Sequence, residues 1–93
     1  MKTGIELIAE ERREQIEKHG RTVEYDLKVN DQEQLVLAAT YIILKDWEED
    51  TFLSAPDGWD SNVWKHICDK PYQERLIIAG ALIAAEIDRI SNE

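Results

Sequence analysis

The sequence predicts an all-α protein, built as three main helices plus a short helix in a tryptophan-containing loop. Apolar residues recur at helical spacing in the first and last thirds of the chain. Helix-capping residues precede each of these segments, and Gly and Pro follow or separate them. At 93 residues the chain has room for one hydrophobic core, so residues 1–93 are expected to form a single domain.

The first helix is expected to begin at Thr3 and to end at Gly20. Thr3 and Glu6 have the spacing of a capping box, and Gly20 can adopt the left-handed conformation that ends a helix. Arg12 falls four residues after one isoleucine of the apolar stripe and four before another, so it is predicted to face the same side. The stripe itself consists of Ile5, Ile8, Ala9 and Ile16.

Residues 21–30 are predicted to be a polar connection between the first two helices. Helix two is expected to start at Asn30 as its N-cap, with Glu33 completing a second capping box. Residues 35–44 are apolar on every side, and the helix is expected to fray within 45–50.

Residues 51–70 are expected to be largely irregular, because 54–60 contains the Pro, Asp and Gly of a turn. Within this part of the chain, residues 61–68 can form a short helix capped by Ser61. The last helix is expected to run from about Pro71 to Ile90, since proline suits a first helical turn.

The apolar surface of the second and last helices exceeds what one small bundle can bury. Gly80 in mid-helix costs about 1 kcal/mol relative to alanine, which indicates close packing at this point. We therefore expect a homo-oligomer, dimeric or larger, that completes the bundle. The main apolar seam predicted on the last helix consists of Leu76, Gly80, Ile83, Ile87 and Ile90.

Charge and cysteine content exclude several classes of function. Twenty acidic and eleven basic residues give a net charge of −9, which argues against binding to nucleic-acid backbones or anionic membranes. The single cysteine, Cys68, rules out an intrachain disulfide and is predicted to be a small buried hydrophobe. The N-terminal segment turns acidic too soon for a signal peptide, and no apolar run reaches the ~18 residues of a membrane span. A cytoplasmic protein is expected.

One carboxylate on the last helix is predicted to face inward. Glu86 lies on the flank that also carries Ala79 and Arg75. A buried carboxylate costs several kcal/mol unless it is paired, and Arg12 is the expected partner. Such an ion pair could order the bundle without any further role.

The same polar groups also suggest a binding site. Cations close to aromatic rings suit a nucleobase attached to a phosphate. In this interpretation Arg12, Lys65 and Arg75 meet phosphates, and Trp64 or Tyr25 stacks the base. Arg21 offers a further donor, Trp59 a further flat surface and Lys70 a further ammonium group. His66 receives no role, because no second histidine or cysteine stands at a ligand spacing. The candidate ligand-binding residues are Arg12, Gln15, His19, Tyr25, Trp64, Lys65, Arg75 and Glu86.

Five short motifs resemble a group of small, all-helical phage and prophage proteins. They are E-R-x-x-Q at 11–15, G-x-T-x-x-Y-D at 20–26, A-A-x-Y at 38–41, W-K at 64–65 and A-G-A-L-I-x-A-E-I-x-R at 79–89. The chain departs from the group in having Arg21 in place of tryptophan and Tyr25 in place of histidine. The resemblance implies a viral setting, with the host cytoplasm as location. A phage protein of this size could sequester a nucleotide signal of host immunity.

A weaker resemblance is to the MazG-like all-α nucleoside triphosphate pyrophosphohydrolases. These enzymes hold Mg²⁺ with E-x-x-E on one helix and E-x-x-D on the next, because hard cations prefer adjacent carboxylates. Glu11 and Glu14 match the first half, and Glu86 would be the third ligand. The second half is missing, since Glu86 and Asp88 are separated by only one residue and point apart.

Three hypotheses of function therefore stay open. The first is a noncatalytic binder of a small phosphate-bearing, nucleotide-like ligand, without a cofactor and with its pocket assembled between subunits. The second is a Mg²⁺-dependent nucleotide pyrophosphohydrolase with Glu11, Glu14 and Glu86 as metal ligands. The third is a structural or partner-binding helical module, in which every inward polar group belongs to an ion pair.

Overall fold

The computed structural model describes residues 1–31, 33–44, 56 and 58–93, and this part of the chain is all-helical, without strands. The all-α prediction is confirmed. The frayed end predicted at 45–50 and residues 51–55 and 57 of the predicted irregular part lie outside the described residues. The helices are α1 (Gly4–His19), α2 (Val23–Val29), α3 (Gln34–Leu44), α4 (Ser61–Cys68) and α5 (Tyr72–Ser91).

The ends of α1 are those that the sequence predicts. The hydroxyl of Thr3 accepts from the Glu6 amide at 3.2 Å, and the Glu6 carboxylate accepts from the Thr3 amide at 3.0 Å. Gly20 ends the helix with a φ of 66°. The predicted apolar stripe is wrong, because Ile5 and Ile16 are exposed while the polar middle of the helix is buried. The buried residues of α1 are Arg12 and Gln15.

Residues 21–30 are not a connection; they contain α2. The Thr22 hydroxyl accepts from the Tyr25 amide at 3.2 Å and so caps the helix. Asn30 is the C-cap of α2 rather than the N-cap of the next helix, and its amide donates to the wholly buried Asp26 carboxylate at 2.7 Å. The chain then passes through Glu33, at a φ of 63°, into α3.

The hydrophobic core lies between α3 and α5, and α4 adds Trp64 and Cys68 to it. Cys68 is buried in this core, as predicted. Gly80 is tightly packed, as predicted: a Cβ at this position would lie 2.6 Å from Ile8 Cδ1 of α1. The core residues are Leu35, Ala38, Ala39, Ile42, Trp64, Cys68, Ile78, Ala79, Leu82 and Ala85.

The segment before α4 contains a turn, in which the Trp59 amide donates to the Pro56 carbonyl and Gly58 has a φ of 83°. The cap of α4 is Asp60 rather than Ser61, because the Asp60 carboxylate accepts from the Asn62 and Val63 amides at 2.8 and 3.0 Å.

The buried face of α5 is not the predicted seam. Leu76, Ile83, Ile87 and Ile90 of that seam are 40 to 59% exposed. The flank that is buried instead carries three charged residues. Two of them, Glu86 and Arg89, can be buried because they pair with each other. The buried residues of α5 are Arg75, Ile78, Ala79, Ala81, Leu82, Ala85, Glu86 and Arg89. Among the described residues, no helix combines the length and the apolar character that crossing a bilayer requires.

Candidate functional site

A buried polar cluster lies where α1, α2 and α5 meet, and Arg12 lies in it. The cluster consists of Arg12, Gln15, Asp26, Asn30, Glu86 and Arg89. The Arg12 side chain is 10% exposed, and its Nη1 donates to the Arg21 carbonyl at 3.0 Å. Its Nη2 lies 4.0 Å from Asp26 Oδ2 and 3.7 Å from Asp88 Oδ2. Arg12 therefore joins the middle of α1 to the segment that follows α1 and to both neighbouring helices.

The predicted ion pair between Arg12 and Glu86 is wrong, although both residues are buried, as predicted. Glu86 Oε1 accepts from Arg89 Nε at 2.5 Å, three residues along the same helix. This hydrogen bond raises the pKa of Arg89, and Glu93 adds a second acceptor at 2.7 Å. Because Arg89 lies within one helical turn of Glu86, the Glu86 carboxylate is paired without a residue from another helix.

Asp26 is wholly buried at the centre of the cluster. Burial raises the pKa of Asp26, and the negative charge of Glu86 acts in the same direction. The hydrogen bond from Asn30 and the charges of Arg12 and Arg21 oppose the shift without cancelling it. Four buried atoms of this cluster have no hydrogen-bond partner: Asp26 Oδ2, Arg12 Nε, Arg12 Nη2 and Gln15 Oε1.

Next to the cluster, a cavity of about 260 Å³ opens between α1, α4 and α5; we call it the α1–α4 cavity. One part of its polar lining consists of nitrogen donors at the end of α1 and α4 or just after these helices. The other part consists of polar side chains from the middle of α1. Its walls are otherwise apolar. The donors are His19, Arg21, His66 and Lys70; the other polar residues are Glu11, Glu14 and Gln15; the apolar ones are Val63, Ile67, Ile78 and Leu82.

An acidic groove of about 310 Å³ adjoins this cavity, and Lys70 lines both. Glu11 and Glu14 also line both, so the carboxylates lie on the groove side of the cavity. The groove is lined by Leu7, Glu10, Glu11, Glu14, Lys70, Glu74, Ile77 and Ile78. Lys70 therefore lies at the border between the cavity and the groove, whereas His19, Arg21 and His66 line the cavity but not the groove.

A third cavity, of about 190 Å³, contains aromatic rings; we call it the aromatic cavity. The Arg21 guanidinium lies 4.6 Å from the ring centroid of Trp59, in cation–π geometry. Trp59 Nε1 donates to Asn30 Oδ1 at 2.8 Å, and the Trp59 ring meets Trp64 edge-on at 5.9 Å. The lining residues are Arg21, Tyr25, Asn30, Gly58, Trp59, Asp60 and Val63.

The structure brings some of the predicted ligand-binding residues to these cavities. Gln15 and His19 line the α1–α4 cavity, and Tyr25 lines the aromatic cavity. Arg12 and Glu86 belong to the buried polar cluster, behind the cavities rather than in their lining.

Three other predicted residues lie elsewhere. Trp64 is buried in the core, and Lys65 is exposed and lines none of the three cavities. Arg75 is buried, where its guanidinium donates to the carbonyls of Ile42 and Lys70 at 2.9 Å each. Arg75 thus ties α5 to the end of α3 and to the end of α4, and its place among phosphate ligands is not supported by this geometry.

Sequence reasoning missed one donor of the α1–α4 cavity, His66; it named Arg21 and Lys70 as cationic groups but left them out of the candidate ligand-binding residues. The signal that could have found His66 is its spacing of three residues from Val63, which places both on one face of α4. His66 received no role because only metal-ligand spacings were considered for it.

The metal-ligand set predicted for the enzymatic alternative is not assembled. Among the described residues, no three or more His, Cys, Asp or Glu side chains form a group that could hold a metal ion. Glu11 and Glu14 lie at the cavity wall, whereas Glu86 pairs with Arg89 in the buried cluster.

Comparison with known proteins adds no relative. No protein-family model matches the chain, and neither the curated proteins nor the solved structures contain a significant match.

Proposed function

We propose that this protein binds a small phosphate-bearing, nucleotide-like molecule in the α1–α4 cavity without chemically converting it. One observation carries the proposal. In a chain of net charge −9, four nitrogen donors from two separate segments of the chain converge on one cavity: His19, Arg21, His66 and Lys70. Donors of this kind form the strong, charge-assisted hydrogen bonds that hold phosphate oxygens.

The shape and walls of the cavity support a ligand that is only partly polar. Val63, Ile67 and Leu82 offer apolar contact beside the donors. The volume of about 260 Å³ is just below the roughly 300–1,000 Å³ typical of small-molecule sites, so the cavity suits one end of a nucleotide rather than the whole molecule.

The carboxylates of α1 give the cavity a direction. Glu11 and Glu14 repel an anion from the groove, so a phosphate is favoured among His19, Arg21 and His66, which line the cavity but not the groove. Lys70, which lines both, can reach the same phosphate from the border between them. This separation of charge answers the objection that an acidic protein repels anions. A protein that holds such a ligand without turnover acts by sequestration, and in a phage setting a nucleotide signal of the host would be the ligand.

The experiment measures nucleotide binding with and without Mg²⁺. AMP, GMP and cyclic AMP are tested by thermal shift and calorimetry, in EDTA and in Mg²⁺. We expect stabilisation by at least one of them that persists in EDTA. Lys70→Ala should weaken binding about 10-fold or more, because a hydrogen bond to a charged group contributes about 1.5–3 kcal/mol.

The matched control is Lys65→Ala, since Lys65 lines none of the cavities and is an exposed lysine of the helix that ends two residues before Lys70. Its affinity should equal that of the unchanged protein. Absence of binding by all three nucleotides, or equal losses in the two lysine variants, would overturn the proposal and leave the structural hypothesis.

The catalytic alternative is favoured by one observation, the position of Glu11 and Glu14 at the cavity wall. It predicts Mg²⁺-dependent release of pyrophosphate from nucleoside triphosphates, lost in Glu11→Gln and in Glu86→Ala. Under the binding proposal no pyrophosphate is released by the unchanged protein in Mg²⁺.

We also infer that two copies of the chain pair through α5. Leu76, Ile83, Ile87 and Ile90 are exposed, and with Gly80 they alternate at spacings of four and three residues, as in the seam of paired helices. The exposed stripe contains no charged residue, so two copies of an acidic protein could meet here without like charges facing each other.

A further inference from the structure

The aromatic cavity adjoins the α1–α4 cavity, because Arg21 and Val63 line both. The α1–α4 cavity holds the donors proposed to meet phosphate, whereas the aromatic cavity presents the rings of Tyr25 and Trp59. A ligand whose anionic end is held at His66 and Lys70 therefore has these rings within reach of its other end.

The Trp59 indole is held in position from two sides. Its Nε1 donates to Asn30 Oδ1 at 2.8 Å, and Asn30 is itself fixed by its hydrogen bond to Asp26. The edge of the ring packs against Trp64, which is part of the core. A ring that is already ordered loses little conformational entropy when a ligand stacks on it.

The guanidinium of Arg21 already lies against one face of the Trp59 ring. The Arg21 guanidinium lies 4.6 Å from the ring centroid, so this side chain has its planar end between the two cavities. Arg21 can thus contact an anion in one cavity while it borders a planar group in the other.

We infer that the aromatic cavity is the base subsite of the ligand, and that the ligand class is a nucleoside monophosphate rather than a sugar phosphate. The base lies against Tyr25 and Trp59, and the phosphate lies in the α1–α4 cavity. The volume of about 190 Å³ has room for one base. This inference rests on the proposed function and assigns the stacking role to Tyr25, with Trp59 as the adjoining wall, in place of the core residue Trp64.

The test compares AMP with ribose 5-phosphate, which has the same sugar and phosphate but no base. Calorimetry in EDTA is run on the unchanged protein, Tyr25→Leu and Tyr72→Leu. Tyr25 and Tyr72 are matched in exposure, at 42% and 49%, and Tyr72 lines none of the three cavities. AMP should bind the unchanged protein about 5-fold or more tightly than ribose 5-phosphate, since stacking of one base has that effect.

Tyr25→Leu should remove most of this preference while ribose 5-phosphate binds as before, and Tyr72→Leu should retain it. Circular dichroism of each variant confirms that the helices are intact. The inference is overturned if AMP and ribose 5-phosphate bind the unchanged protein equally, or if Tyr25→Leu retains the preference for AMP. Equal binding that still depends on Lys70 would leave the proposed function standing, whereas absence of binding by both molecules would remove both.

Discussion

Arg12 Nη2 lies 4.0 Å from Asp26 Oδ2, and both atoms are buried without a hydrogen-bond partner. The two charges are close enough to stabilise each other but are not in hydrogen-bond contact. Arg12 is also bonded to the Arg21 carbonyl at the end of α1, so the buried charge pair positions the segment that carries Arg21 into both cavities. Arg12 and Asp26 therefore affect both the stability of the fold and the position of Arg21 in the site.

Asp26→Asn should change how stability depends on pH. The folded pKa of Asp26 is raised above the unfolded value of about 3.9, so above that pH the folded state binds more protons than the unfolded state. The contribution of Asp26 to stability is therefore fully present below the unfolded pKa and falls as pH rises through the folded pKa.

Urea unfolding of the two proteins at pH 4, 5, 6 and 7 measures this effect. The free energy of unfolding of the unchanged protein, relative to Asp26→Asn, should decrease from pH 4 upward and then level off. Other titrating groups are common to both proteins and cancel in the difference. A difference that is constant, or that increases with pH, would show that the Asp26 carboxyl is not destabilised by burial.

Arg12→Ala should lower the free energy of unfolding by about 3–5 kcal/mol, because removal of one partner leaves the Asp26 charge buried and unpaired. Arg13→Ala is the matched control, since Arg13 is the exposed neighbour on the same helix, and its effect should stay within about 0.5 kcal/mol. Denaturant unfolding at pH 7 measures both. Equal, small effects of the two substitutions would contradict the buried position of Arg12.

Gly80→Ala should have opposite effects with and without the Ile8 side chain. In the unchanged protein the new Cβ would lie 2.6 Å from Ile8 Cδ1 and 2.9 Å from Cγ1. Such overpacking costs about 1–3 kcal/mol, more than the gain of about 1 kcal/mol in helix propensity. In an Ile8→Ala background the contact is gone, so the same substitution should stabilise the protein.

A double-mutant cycle of thermal unfolding tests this reversal of sign. Gly4→Ala is the control, because a Cβ at Gly4 meets nothing within 4 Å and should show no coupling to Ile8. Additive effects of Gly80→Ala and Ile8→Ala would mean that α1 and α5 do not meet at this point.

Ile87→Lys should separate the copies of the chain if they pair through α5. Ile87 is 59% exposed in the single chain, so the substitution should leave the fold intact while it places two charges at the centre of the pairing surface. Light scattering after size exclusion should give a dimeric or larger mass for the unchanged protein and a monomeric mass for this variant. Val36→Lys is the control, because it places the same charge at an exposed position of α3, and its mass should equal that of the unchanged protein. A monomeric mass for the unchanged protein would contradict the pairing through α5.

The helix ends that depend on local chemistry were predictable from the sequence. Thr3, Glu6 and Gly20 satisfy backbone groups within one turn of themselves, so their roles follow from spacing alone. The tight packing at Gly80 was also predictable, because a mid-helix glycine is costly without a close neighbour.

Features that depend on tertiary contacts were missed. The apolar residues of α2 stand at every second position, which is not the helical period, and the burial of Asp26 is invisible to a search for apolar periodicity. The inward position of Glu86 was correctly predicted, whereas the main apolar seam of α5 was assigned to the wrong face, because Arg89 pairs with Glu86 and enters the interior with it. The α1–α4 cavity draws His19 and Lys70 from segments far apart in the sequence, so only the fold brings them together.

The most direct test of the central claim, that the α1–α4 cavity is an anion-binding site, is a titration of the isotope-labelled protein with AMP in EDTA, followed by amide chemical shifts. The largest shifts should fall on residues 19–21 and 66–70, whose side chains supply the donors, whereas residues 83–90 on α5 should change little. Unchanged spectra at millimolar AMP, or shifts concentrated at residues 83–90, would contradict the claim.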